Sequence, residues 1–291
     1  MKYQTVGLIG KPDHEGTHVS LTALTEYLTK QGCKILIETR LHAEMNDERL
    51  TAAELVTIGH EADLAIVVGG DGNMLGAARV LARFDIDVVG VNRGNLGFLT
   101  DISPDNIENE LDTLFAGKGK SEQRFLLEVD VFRHESLKST NVAVNEVVLH
   151  HGKVAHMMEF EVYINDQFMF SQRSDGLIIA TPTGSTAYSL SGGGPILMPT
   201  LDALTLVPMF PHTLTSRPIV VDADSTITLR VSKVNSDTLQ VSCDSHIALN
   251  ILPGDEVVIR KSPNKLTIVH PPSYDYFNVL RTKLNWGTKL Y

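Results

Sequence analysis

Cysteine is scarce in this sequence, and so is positive charge. Only two cysteines, Cys33 and Cys243, occur among 291 residues, far apart and without the close spacing of a metal or redox pair. That excludes a disulfide framework and a spaced-cysteine zinc site, and the two are read as buried thiols of a protein in the reducing cytoplasm. Lysine and arginine number 25 against 35 aspartates and glutamates, a formal net charge of −10. Such a surface is ill suited to nucleic acid or an anionic membrane, although a local basic pocket stays open. Long hydrophobic runs are missing too. The longest, at 64–68 and 203–207, fall far short of the ~20 apolar residues a membrane-spanning helix needs. The first residues lack the basic start, apolar stretch and small-residue cleavage site of a secretory signal. With 43% hydrophobic and 21% charged residues, what remains has the balance of a soluble globular protein large enough for one large domain or two ordinary ones.

The apolar pattern divides the chain. Over the first hundred residues, short apolar runs at 6–9, 34–38, 64–68 and 88–91 alternate with helix-like spacing at 18–30, 52–60 and 73–83. Continuously apolar strands alternating with helices predict an α/β domain with a parallel sheet covered on both faces. From about Phe125 the period changes to two: Phe160, Val162 and Ile164, then Ile227, Leu229 and Val231, then Leu239, Val241 and Cys243 alternate with polar residues. That pattern predicts an all-β, mainly antiparallel domain. The boundary is placed near residue 100, giving an α/β domain over 1–100 and a β-rich domain over 101–270. The tail 271–291, where the alternation stops after Pro271-Pro272, is expected to return to the first domain.

Gly69-Gly70-Asp71-Gly72 is the sharpest local signal, lying directly between the run 64–68 and the helix-like segment 73–83. The carboxyl ends of strands in such a sheet are where ligands bind. Glycines leave backbone N–H groups free to face an anion, and a helix N-terminus adds partial positive charge. A carboxylate in that loop can hold Mg²⁺ or take a proton from an attacking hydroxyl. It can equally be a helix N-cap, since Asp is a preferred cap. Neither the dinucleotide fingerprint nor a Walker A loop is present. A second signal is Thr181-Pro182-Thr183-Gly184-Ser185-Thr186-Ala187-Tyr188-Ser189-Leu190-Ser191-Gly192-Gly193-Gly194-Pro195. Its hydroxyls suit a ligand rich in hydrogen-bonding groups, with Tyr188 to stack on a base or ribose, or else they cap a local helix. A third, weaker one is Asn145-Glu146, able to pair with an adenine edge and to accept from ribose hydroxyls. His150, His151 and His156 fall close together, but adjacent histidines on a strand point to opposite faces, which argues against one metal site. Trp286 is read as a packing anchor.

Taken together, Gly69–Gly72, Asn145-Glu146, Thr181–Pro195, Gly94-Asn95-Leu96-Gly97-Phe98-Leu99 and Arg173-Ser174-Asp175-Gly176 resemble the NAD kinase family over most of the chain. The Gly-Gly-Asp-Gly element alone is less specific, because phosphofructokinases and diacylglycerol-type lipid kinases share it. A lipid kinase would be expected to carry a hydroxyl residue where Asn73 stands. The resemblance implies the two-domain NAD kinase-like fold and ATP-dependent phosphorylation of NAD at its adenosine 2′-hydroxyl. It implies a divalent metal, usually Mg²⁺, and a homo-oligomer, often a tetramer. By the same resemblance Asp71 is the catalytic acid–base residue. The resemblance likewise implies that Asp71, Gly72, Asn145, Glu146, His156, Arg173, Asp175, Thr186, Ala187, Tyr188, Ser189, Leu190, Ser191 and His246 contact NAD. The readings that remain beside it are another kinase using the same loop, acting on a lipid or sugar phosphate, and a non-enzymatic NAD(P)-binding regulator.

Overall fold

The computed structural model describes residues 2–93, 97–152, 157–235 and 239–287. The chain forms two compact units, Met1–Gln123 with Leu266–Tyr291, and Arg124–Lys265.

In the first unit the order is β1 (Thr5–Gly10), α1 (Glu15–Lys30), β2 (Lys34–Glu38), α2 (Thr39–Met45), β3 (Leu50–Ala53), α3 (Leu55–Glu61), β4 (Leu64–Gly69), α4 (Asp71–Leu81), β5 (Asp87–Asn92) and α5 (Ile107–Phe115). The strands are parallel and lie in the order β3-β2-β1-β4-β5. β1 and β4 are almost wholly buried, as expected of strands covered on both faces. Helix α1 turns Leu21, Leu24 and Leu28 into the core, as their spacing predicts; Val19, read from the sequence as part of the same stripe, faces solvent instead. Strand order reverses between β1 and β4, so the segments after these two strands flank a topological switch point.

Two elements depart from the sequence reading. The segment 52–60, read as one helix, is split: Ala52 and Ala53 end β3, and the helix is α3. Pairing of Ile37 with Ala52 and of Glu38 with Ala53 in the parallel ladder overrides alanine's helix preference. The unit boundary falls at 123/124 and 265/266 rather than at 100 and 270. The cause is α5, whose Ile107, Leu111, Leu114 and Phe115 join the first unit's core. There Phe115 meets Tyr3 and Tyr27 edge-on at 5.4 and 5.7 Å.

The chain leaves the first unit along β6 (Lys120–Arg133). Then follow β7 (Ser136–Ala143), β8 (Glu146–His151), β9 (Met158–Ile164), β10 (Gln167–Ser174), β11 (Gly176–Ala180), α6 (Tyr188–Ser191), β12 (Ala203–Met209), β13 (Ile219–Asp222), β14 (Ile227–Val231), β15 (Leu239–Cys243) and β16 (Ile247–Ile251). It returns along β17 (Glu256–His270) to α7 (Tyr276–Lys283). The second unit holds an antiparallel sheet ordered β13-β12-β11-β8-β15-β16. Its inner residues Val147, Leu149, Leu177, Ile179, Leu239 and Val241 share one core with Phe160, Val162, Ile227, Leu229, Val257 and Ile259 of the β9, β14 and β17 strands. The period-two alternation is the signature of that two-layer packing. Apart from α6 and a 3-10 turn at Gly184–Thr186, the regular elements described in this unit are strands, so the fold class is the one expected from the sequence. Trp286 is 51% exposed beyond α7 rather than packed. No helix among the described residues is long and apolar enough to cross a membrane.

Candidate active site

In the first unit the switch-point loop is built around Asp71. Gly69 closes β4 at φ +150, a conformation that favours glycine, and a Cβ there would lie 2.1 Å from Asn73 Nδ2. Nothing lies within 4 Å of a Cβ built on Gly70 or Gly72, so the loop faces open space. That fits a bulky anion set against backbone N–H groups at the start of α4.

Gly70, not Asp71, is the N-cap of α4. The Asp71 carboxylate is turned to another segment: Oδ2 accepts from Phe98 N at 2.9 Å and Oδ1 from Leu99 N at 3.0 Å. The Thr100 hydroxyl stands 3.5 Å from Oδ1. The capping alternative is therefore removed, and in its place the carboxylate has a different structural role, fixing 98–100. Oδ1 is thus met by both the Leu99 amide and the Thr100 hydroxyl, whereas Oδ2 keeps a further lone pair for a substrate hydroxyl or a cation. Across the switch point, Arg93 from the end of β5 lies against Gly16 in the first turn of α1 and reaches Ser20 Oγ at 3.3 Å.

In the second unit Asn145 directly precedes β8 and Glu146 opens it, beside the 181–195 run, whose Thr181 N–H donates to Asn145 O at 2.9 Å. Glu146 is 3% exposed, and its Oε2 has no hydrogen-bond partner among the described residues. Burial pushes its carboxyl up to about 8, nearby Asp244 adds to the rise, and the Tyr188 N–H opposes it. Asp244 itself accepts from the N–H groups of Val144 (3.0 Å), Asn145 (2.7 Å) and Glu146 (3.3 Å). His246 Nδ1–H donates to the Asp244 carbonyl at 2.6 Å. Asn145, Glu146, Asp244, Tyr188 and His246 are thus one cluster.

Within the 181–195 run the most buried hydroxyls are used internally. Thr181 Oγ1 donates to Val144 O at 2.7 Å and accepts from Gly184 N at 3.1 Å. Ser185 Oγ donates to Pro182 O at 2.7 Å and accepts from Leu197 N at 3.0 Å. Ser189, fully buried, faces Thr205 at 3.3 Å. Gly184 packs so closely on Asn145 that a Cβ would lie 2.1 Å from its carbonyl oxygen. Of the two readings that the sequence left open for these hydroxyls, internal bonding holds for Thr181, Ser185 and Ser189, while Thr186 is half-buried and Ser191 and Tyr188 are exposed, Tyr188 at 42%. Ala187 and Leu190 are half-buried beside them.

Arg173 and Asp175 lie elsewhere. Arg173 is exposed near the end of β10, and Asp175, between β10 and β11, donates its N–H to Met209 O at 3.0 Å. Gly176 pairs with His150 and Ala180 with Glu146. Arg173 and Asp175 therefore sit beyond the opposite end of β11, about 13 Å or more along the strand from Glu146. His156 and residues 94–96 are outside the described residues. His150 bonds Ser242 Oγ and the His151 carbonyl. No cluster of metal-ligating side chains occurs among the described residues. A cavity of about 640 Å³ beside the β6–β7 hairpin is lined by Arg133 and Arg260, but these are already paired with Asp255 and with Glu128 and Asp130.

Asp244 was missed in the sequence. Its only signal was an Asp-Ser pair between two alternating runs, and both residues adopt positive φ, +51 and +58, the geometry of a tight hairpin turn.

Residues 6–119 match the model of the ATP-NAD kinase N-terminal domain and residues 144–271 that of the C-terminal domain. The chain is 61% identical over 290 residues to an NAD kinase of Pseudoalteromonas translucida, covering 99% of both. It is 62% identical over 289 residues to one of Shewanella woodyi, again with 99% of each covered. Among solved structures, an NAD kinase from Archaeoglobus fulgidus in complex with ATP superposes with TM-score 0.75 at 25% identity, covering 97% of this chain and 99% of that one. Yeast NADH kinase complexed with NADH gives 0.90 at 23% identity, covering 100% and 90%; at that identity it shows the shared fold.

Proposed function

This chain belongs to the NAD kinase family, and from that premise we propose how its residues divide the ATP-dependent phosphorylation of NAD at the adenosine 2′-hydroxyl. Asp71 is the general base. It orients the 2′-hydroxyl and takes its proton as the oxygen attacks the γ-phosphorus of ATP. The observation that carries this reading is a carboxylate held by two backbone N–H groups in an open glycine loop at the switch point. The loop and the start of α4 stabilise phosphate charge. Positioning supplies much of the remaining acceleration.

The residues fit a divalent cation that arrives on the triphosphate. Mg²⁺ usually keeps several waters and binds through one or two carboxylates and substrate phosphates, and Asp71 beside the open loop offers one such carboxylate. When bound, Mg²⁺ would offset charge on the transferring phosphoryl group. Asn145, Glu146, Thr186, Tyr188, Ser191 and His246 grip NAD. Gly72, Ala187, Ser189 and Leu190 shape the surfaces around these contacts.

The enzyme is read as a cytoplasmic homo-oligomer, a tetramer by family resemblance. The strand-length separation of Arg173 and Asp175 from Glu146 gives assembly a purpose, since the two can meet NAD held by a neighbouring copy. His156 is assigned with them on resemblance alone.

The deciding experiment is Asp71→Asn, assayed for NADP formation from NAD, ATP and Mg²⁺. We expect kcat to fall at least about 10²-fold while NAD still binds, the mark of an interaction made mainly in the transition state. Asn can accept only one of the two amide bonds, so a melting loss corresponding to about 1–2 kcal/mol accompanies it. A kcat within about threefold of the parent sinks the assignment.

A further inference from the structure

His270 ends β17 after the buried Leu266, Ile268 and Val269, and its imidazole is 1% exposed. A buried polar ring must find partners. Nδ1–H donates to Asp101 Oδ2 at 2.8 Å, Nε2 stands 3.4 Å from Glu122 Oε2, and Tyr274 stacks on the ring at 3.8 Å. The Asp101 side chain is 5% exposed, and its other oxygen has no partner among the described residues. A buried polar cluster like this is poor evidence for stability, because apolar residues of the same volume would often serve as well. What it fixes is place.

Asp101 directly follows the segment that holds Asp71. Phe98 and Leu99 donate their amides to the Asp71 carboxylate. Thr100 is gripped from the other side by Asn92, whose Nδ2 donates to the Thr100 carbonyl at 3.3 Å and hydroxyl at 3.1 Å. Ile102 then bonds along β5, its N–H to Gly90 O at 3.1 Å and its carbonyl to Asn92 N at 2.8 Å. The segment is thus held by Asp71, by β5 and, at Asp101, by His270.

We propose that His270 is a positioning residue for phosphoryl transfer, anchoring Asp101 so that the amides of 98 and 99 hold the Asp71 carboxylate in place. The proposal rests on Asp71 being the catalytic base. His270 touches no reacting atom.

The test compares His270→Asn with His270→Gln in the full chain, each first checked for folding by a thermal melt. The Asn amide sits where Nδ1 does and can keep the Asp101 bond; the longer Gln carries its amide toward Nε2 and Glu122. Both lose the Tyr274 stack, so a general packing role would harm both alike. We expect His270→Gln to lower kcat at least about tenfold with the KM for NAD within about twofold. Hydrogen exchange of the 97–102 amides should rise as the clamp opens. His270→Asn should stay within about threefold of the parent in kcat, with those amides still protected. Equal losses in the two variants overturn the proposal, and so does a Gln variant with parental kcat and exchange. Asp71→Asn is run alongside. If it retains turnover, the catalytic reading of Asp71 has failed, and exchange alone judges His270: a rise with Gln but not Asn upholds the anchor, equal exchange overturns it. Should neither variant fold, Asp101→Asn takes their place, with lowered kcat and raised exchange upholding the proposal and parental values overturning it.

Discussion

Glu146→Gln should flatten a pH dependence built into the second unit. Burial raises the Glu146 carboxyl from 4.5 to about 8, with Asp244 adding to the rise. The folded protein therefore holds this proton more tightly than the unfolded chain. Its contribution to stability is fully present below about pH 4.5 and is lost as pH rises through about 8. At about 1.4 kcal/mol for each tenfold change in proton affinity, the full span is worth at most about 5 kcal/mol. Between pH 5.5 and 8.5 the loss is about 3 kcal/mol by the same arithmetic. Glutamine carries no proton to lose, so the stability of the parent relative to the variant should decline by that amount across the window. In a protein of this size that is roughly 6–12 °C in melting temperature. Thermal melts of both proteins at half-unit steps would show it. Parallel curves would refute the claim that Glu146 keeps its proton in the folded state.

Two other outcomes follow from the proposed site. Tyr188→Ala removes an exposed ring whose backbone holds Glu146; the NAD KM should rise by an amount matching about 1–3 kcal/mol of lost stacking, and an unchanged KM in steady-state assays would remove Tyr188 from the base or ribose. Asp71→Asn and Arg173→Ala, each weakly active alone, should recover up to about a quarter of parental NADP formation when co-expressed, since random assembly pairs an intact Asp71 with a neighbour's intact Arg173 in about one site in four; activity no greater than the sum of the two alone would mean that Arg173 does not act across protomers.

The fold was legible because its two halves use different hydrophobic periods. Leu64–Gly69 is buried along its whole length in a parallel sheet, and Leu239–Cys243 alternates in a two-layer core, each as the pattern required. What hid was decided by tertiary contact. Ala52 and Ala53 prefer helix and became strand because β2 offered a parallel partner. The stretch 101–123 changed units because the apolar side of α5 found the first unit's core. In the site, glycines and hydroxyls announced themselves by composition. That Ser185 and Ser189 face inward, and that Asp244 gathers three amides, could not be read, since every residue but proline carries an N–H.

Asp71 shows how a local motif and a distant contact share one group. The sequence left it open between helix cap and chemistry, and both readings were local. The structure gives the cap position to Gly70 and joins the carboxylate to amides 27 and 28 residues further along the chain. A carboxylate held that way cannot swing to meet a substrate, so its aim is set before the substrate arrives. Preorganised groups gain their catalytic effect by avoiding rearrangement during the reaction. Holding 98–100 is therefore compatible with orienting a hydroxyl, because the three bonds engage Oδ1 twice and Oδ2 once, which leaves a lone pair on Oδ2 and fixes its aim. The same logic carries outward to Asp101 and His270, where a buried polar cluster that is no argument for stability still fixes, on the proposal above, where Asp71 points.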